Sequence, residues 1–234
     1  MEEKNFKKNE MKVLLHERGL NNRNVFVEHG QKYRLDLTFV EDFMKTKTAV
    51  RPYYGVDREQ IEWLDSKRYD VKESILPSGV ITYQGVDVGV IYPKYYLGFT
   101  SFEELSKEET LLLLKNLRKA IANNEELLRN GIFNSDFVLK NMLYSGERVG
   151  LIGLDGKYIH REEDSSYSSV YGYFAEELYK LLEHKLRYQC RERASEYSRL
   201  VCELRDIIAA NNNTNVIDYP NVLVDEVEKA RILK

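Results

Sequence analysis

Residues Gly131 to Gly156 read GIFNSDFVLKNMLYSGERVGLIGLDG. Met142-Leu143-Tyr144 and Val149 to Leu154 are strand-like runs joined at Ser145-Gly146, which predicts a short β-hairpin. Ahead of it, Asn134-Ser135-Asp136 and Asn141 form a polar loop, since Asp and Asn side chains bond nearby backbone groups. Upstream, Ser101–Glu104 (SFEE) and Ser106–Glu109 (SKEE) both carry the capping-box pattern, in which hydroxyl and carboxylate satisfy orphan amides reciprocally. The second predicts a long helix through Leu112, Leu113, Leu117, Ile121 and Leu127, closed by Asn130-Gly131 with a left-handed stop. Downstream, one long helix is expected from about Val170 to Ala210, with room for a break. A last helix, capped by Asn221, carries Val222, Val227 and Ile232.

The first hundred residues look β-rich. Val25-Phe26-Val27 leads into His29-Gly30-Gln31, a hairpin turn, after which Tyr33, Leu35, Leu37 and Phe39 alternate with polar residues as a half-buried strand does. Asp57 to Ser66 (DREQIEWLDS) predicts a short helix. Gly79 to Tyr83, a Gln84-Gly85 turn and Val86 to Tyr92 predict another hairpin, ended by Pro93. The order is a β-rich half with one helix, then a helical half containing one hairpin.

The composition sets limits on function. The 234 residues include 35 Lys and Arg against 38 Asp and Glu, a net charge of −3. A dedicated nucleic-acid binder would carry a basic excess. The longest aliphatic run, Leu111 to Leu114, is far short of the roughly 20 residues that span a bilayer. No signal peptide is expected from the amino end, MEEKNFKKNEMKVLL, so the location predicted is cytoplasmic. Cys190 and Cys202 suit a reduced protein, and His16, His29, His160 and His184 have no metal-ligand spacing. Of the tyrosines at 167, 171, 173 and 179, most are expected in the core with the hydroxyl at its rim. The arginines between Arg187 and Arg205 alternate with Glu192, Glu196 and Glu203, which predicts an exposed, charge-balanced helix face.

The segment 131–156 resembles the protein-kinase-like fold, in particular its small bacterial and aminoglycoside- or choline-kinase-like relatives. A long helix leads to Asn134-Ser135-Asp136, Asn141 follows at the spacing of H-x-D-x-x-x-x-N, and a hairpin comes next. The resemblance implies an α+β, bilobal fold with a β-rich N-lobe at 1–93 and a mainly helical C-lobe at 94–234. It implies that Asp136 orients or deprotonates an acceptor hydroxyl and that Asn141 holds Mg²⁺. Gly79 to Pro93 resembles the strands leading to the hinge, and Tyr95 to Leu105 its exit, which puts Pro93 and Tyr95 beside a nucleotide. Thr48-Ala49-Val50-Arg51 is similar to V-A-I-K with Arg51 in the lysine's place, and Glu62 or Glu59 would be its partner.

The departures from that pattern shape the functional expectation. Gly153 stands where the metal-binding Asp should fall, and Asp155 lies two residues on. Asn134 replaces the loop histidine, and the anchoring Asp of the helix below is aligned with Ser169. No glycine-rich phosphate loop is visible. Phosphoryl transfer would then lack most of its electrostatic stabilisation. The expectation is a regulatory or protein-binding pseudokinase whose implied ligands are ATP and Mg²⁺, or none if the degradation is complete. The alternative is a divergent ATP- and Mg²⁺-dependent phosphotransferase using Asp136, Asn141 and Asp155. A third possibility is an α+β interaction module unrelated to kinases, in which Asp136 and Asn141 merely cap a turn.

Overall fold

The computed structural model describes residues 1–5, 7, 24–28, 31–35, 57–92, 99–146, 148–154, 159–161 and 166–233. They form a mixed α+β protein. The chain divides into two compact units, Met1–Tyr95 with Gly153–Lys157, and Tyr96–Ile152 with Tyr158–Lys234.

The first unit contains strands β1 (Glu2–Asn5), β2 (Asn24–Glu28) and β3 (Gln31–Leu35), helix α1 (Arg58–Lys67), and strands β4 (Gly79–Tyr83) and β5 (Val86–Tyr92). They make one sheet in the order β1-β4-β5-β3-β2, parallel between β1 and β4 and antiparallel elsewhere. The turn foreseen at Gln84-Gly85 has both residues left-handed (φ 51° and 78°), the two-residue geometry whose twist matches that of the flanking strands. A register shift between Ile81 and Thr82 bulges the hairpin at Val88. The β2–β3 pairing closes at Glu28 opposite Gln31, as the predicted turn requires. Leu37 and Phe39 of the expected long strand lie outside the described residues. Asp57 caps α1, its carboxylate accepting from the Glu59 and Gln60 amides at 3.0 and 3.3 Å. Ile61 and Leu64 bury the helix's inner face. Arg58 forks onto Asp87 of β5 at 3.1 and 2.6 Å, which pins the helix to the sheet.

The second unit begins with β6 (Thr100–Ser101), a 3₁₀ turn (Phe102–Lys107) and helix α2 (Thr110–Arg129). Strands β7 (Ile132–Asn134), β8 (Met142–Ser145), β9 (Arg148–Leu151) and β10 (Ile159–Arg161) follow. Helices α3 (Tyr167–Tyr171), α4 (Phe174–Gln189), α5 (Ala194–Ala210) and α6 (Tyr219–Lys229) complete the unit. β6, β8 and β9 form one small antiparallel sheet, and β7 pairs with β10 in another. Leu113, Leu117, Ile121 and Leu127 bury one face of α2, which ends at Gly131 in the left-handed conformation (φ 75°), as the sequence indicates.

Four local expectations need correcting. The Ser106–Glu109 capping box does not form: Phe102 and Leu105 are buried three residues apart on the tighter 3₁₀ turn, and α2 starts only at Thr110 after an extended Glu109. The second hairpin strand stops at Leu151 rather than Leu154, because Gly153 is left-handed (φ 78°). The stretch from Val170 to Ala210, expected as one long helix with room for a break, is three helices, broken at Gly172-Tyr173 and again from Cys190 to Arg193. The second break lets α5 pack back on α4 and bury Leu200 and Leu204, which one straight rod could not do. Finally, Asn221 does not cap the last helix. Asp218 occupies that position, Pro220 sits in the first turn where its missing N–H costs nothing, and Asn221 donates to Glu125 at 2.6 Å.

Candidate functional site

The loop from Ser135 to Asn141 is held from three sides. Asn134, buried at the end of β7, accepts the Asp136 amide on its side-chain oxygen at 3.0 Å, an Asx-type turn. Asn141 closes the loop from its far end. Its Nδ2 donates to the Asp136 carbonyl at 3.0 Å and to Asp136 Oδ2 at 2.8 Å. The Asn141 carbonyl in turn accepts the Ile152 amide at 2.9 Å, which ties the loop to the end of β9.

Beneath the loop, Phe137 enters an aromatic floor. It stacks on Phe174 (centroids 5.6 Å, planes 10° apart) and meets Tyr171 edge-on, while Tyr219 closes the cluster against both. Tyr171 is fully buried, and burial pushes its phenol well above the usual range. Tyr173 departs from the core expectation for the local tyrosines and is 63% exposed. Glu177 of α4 reaches up to accept the Leu139 amide on Oε2 at 3.2 Å, and its other oxygen takes Lys180 at 3.0 Å.

The structure thus brings Asp136 and Asn141 together. With Nδ2 committed to Asp136, Asn141 presents its amide oxygen as the remaining ligand atom. Asp136 is partly exposed, with Lys140 3.8 Å from its second oxygen. A carboxylate held in one orientation beside an amide oxygen can accept a hydroxyl proton or contribute to a cation's shell. Glu62 lies exposed on α1 in the other unit. Arg51, Pro93, Tyr95 and Asp155 lie outside the described residues, as do His16 and His29. Among the described residues no group of three or more His, Cys, Asp or Glu side chains converges as a metal site.

Ser169 is not the anchor of the loop. The break at Gly172 leaves it in the short helix α3, where it forms a capping box with Ser166. Glu177 holds the loop instead, and the sequence reading missed it. Acids in the first turn of a helix are usually explained by the helix dipole, so nothing in sequence separates Glu177 from its neighbour Glu176. Ser135 and His160 are also paired across the loop, Oγ to Nε2 at 3.3 Å, a contact that depends on the β7–β10 pairing. Beside the loop, residues 138–140 and Glu177, Lys180, Leu181 and His184 of α4 line a pocket of about 380 Å³.

Among the described residues no helix is long and apolar enough to cross a membrane. No protein-family model matches the chain, and no curated protein matches its sequence.

Proposed function

We propose that this chain is a bilobal, protein-kinase-like protein with degraded catalytic motifs, a regulatory or protein-binding pseudokinase that holds a nucleotide without turning it over. The observation that carries the reading is the Asn141 amide clasping both the carboxylate and the carbonyl of Asp136, in a loop set between a long helix and a hairpin. Glu177, bonded to that loop from the helix below, supports it. The absence of a side chain at Gly153, where the family pattern has its metal-binding Asp, supports the degraded character. Asp136 and the Asn141 oxygen alone fall well short of the six oxygens that Mg²⁺ takes, so turnover would depend on Asp155. In an active phosphotransferase, Asp136 would orient the acceptor hydroxyl and take its proton, while Mg²⁺ would neutralise charge on the transferred phosphate.

The test is thermal unfolding with ATP, with and without Mg²⁺. At a hundredfold excess over the dissociation constant, a bound nucleotide adds about 2.7 kcal/mol, which raises the midpoint by roughly 5–10 °C for a chain of this size. The expected result is a shift with ATP that does not need Mg²⁺. A Mg²⁺-dependent shift abolished in Asn141→Ala would favour the phosphotransferase. No shift under either condition would remove the nucleotide from the proposal.

A further inference from the structure

The break at Cys190 gives α4 an open carboxyl end, and the cations there are arranged with a regularity the loop chemistry does not use. Lys180, His184, Arg187 and Arg191 follow one another at intervals of four, three and four residues. At 100° per residue Lys180, His184 and Arg187 share one face of α4, and Arg191 follows in the turn just past the end of the helix at Gln189. All four are exposed. A second pocket, of about 390 Å³, opens at this end, where Lys107 from the 3₁₀ turn joins His184, Arg187 and Arg191 around Tyr188 and Tyr197. His184 also lines the pocket beside Asp136, so the two pockets meet along the stripe.

We infer that this stripe is a docking track for an acidic peptide segment of a protein partner. The inference rests on the proposed protein-binding role of this chain and names the chemistry of its partner. From Lys180 to its last residue, Gln189, the helix rises about 14 Å, the reach of roughly four residues of extended chain. The cations are held only by exchangeable contacts. Lys180 pairs with Glu176 and Glu177, Arg187 with Glu183 and Lys107 with Glu104, on pairs whose cations are all more than half exposed. Arg191 lies over the Tyr188 ring at 5.8 Å and has no carboxylate within ion-pair distance among the described residues. Pairs of this kind contribute little in water, so a partner's carboxylates can displace them. Val138, Leu139 and Leu181 at one end and the tyrosines at the other supply apolar contact for side chains between the charges. A nucleic acid would meet the same cations through its phosphates, and the oligonucleotide arm of the test separates the two.

The experiment is fluorescence anisotropy on the full chain with a labelled hexaglutamate peptide. Hexaglutamine and a six-nucleotide uridine oligomer serve as the comparisons, at low and at physiological salt. The expected result is salt-sensitive binding of hexaglutamate alone, weakened about tenfold or more in Arg187→Gln/Arg191→Gln and unchanged in Arg199→Gln on α5. Should the double variant unfold, Arg191→Gln alone is read instead, with about a threefold loss expected. Equal binding of the uridine oligomer, indifference to both variants, or no hexaglutamate binding at millimolar peptide would each overturn the inference. If ATP still shifts the unfolding midpoint while hexaglutamate fails to bind, the track is wrong and the kinase-like proposal stands.

Discussion

The two ends of α4 use their charges in opposite ways. At the amino end, Glu177 is mostly shielded and bonds a backbone amide of the 135–141 loop at 3.2 Å, over a floor of stacked aromatic rings. At the carboxyl end, Arg187 stands largely in solvent, paired with Glu183 one turn back on the same helix. A buried amide has no water to turn to, so the first contact fixes a conformation. The second exchanges freely with solvent and leaves a charge available to a ligand. One helix therefore supports a rigid loop at one end and an adaptable surface at the other.

The sharpest way to break this contrast is at the floor. Phe174→Ala removes the ring stacked on Phe137 and beneath Tyr219, and should cost about 3–5 kcal/mol. Denaturant unfolding measures it, and a loss below about 1 kcal/mol would mean the aromatic floor does not support the loop. Next comes the anchor. Glu177→Ala leaves the Leu139 amide without its acceptor and should cost about 1–3 kcal/mol, whereas Glu177→Gln keeps an acceptor oxygen and should cost less. Hydrogen exchange at Leu139 separates the two, with faster exchange expected in the alanine variant and near-normal exchange in the glutamine variant.

What could be read from the sequence divides along the same line. Elements decided by neighbours in the chain were legible. The Gln84-Gly85 turn, the short helix expected over Asp57 to Ser66 and the Gly131 stop follow from local backbone rules that no distant contact overrides. The meeting of Asp136 with Asn141 was legible as well, because both lie in one short loop. Elements decided by packing were not. The breaks at Gly172 and Cys190 carry no proline, and only the burial of Leu200 and Leu204 against α4 explains why the helix turns back. Glu177 stayed hidden as the anchor because its bond to the Leu139 amide joins residues 38 apart in the chain, which its place in a helix's first turn does not announce. The β7–β10 pairing was likewise invisible, since each strand is only 3 residues long.

The smallest effect lies at the carboxyl end, and there the pH dependence distinguishes a fixed contact from an exchangeable one. The Tyr197 hydroxyl donates to Glu183 at 2.7 Å and, with Arg187 adding to it, holds that carboxyl below its ordinary value against the opposing effect of burial. A carboxyl depressed on folding contributes stability that is present above its unfolded pKa and lost as pH falls through its folded one. Tyr197→Phe removes the main cause of the depression while keeping the ring. Its expected cost is about 1 kcal/mol at neutral pH, shrinking toward zero as the solution is acidified below the folded value, where Glu183 is protonated in both proteins. Arg187→Gln at the same carboxylate should cost less than that at neutral pH and lose most of its effect in high salt, because its charge is screened and the Tyr197 bond is not. Paired unfolding curves of the two variants against pH and salt measure this. If Tyr197→Phe costs the same at every pH, Tyr197 contributes by packing alone. If Arg187→Gln is the costlier and salt does not reduce it, the carboxyl end of α4 is as fixed as the amino end, and the contrast between them fails.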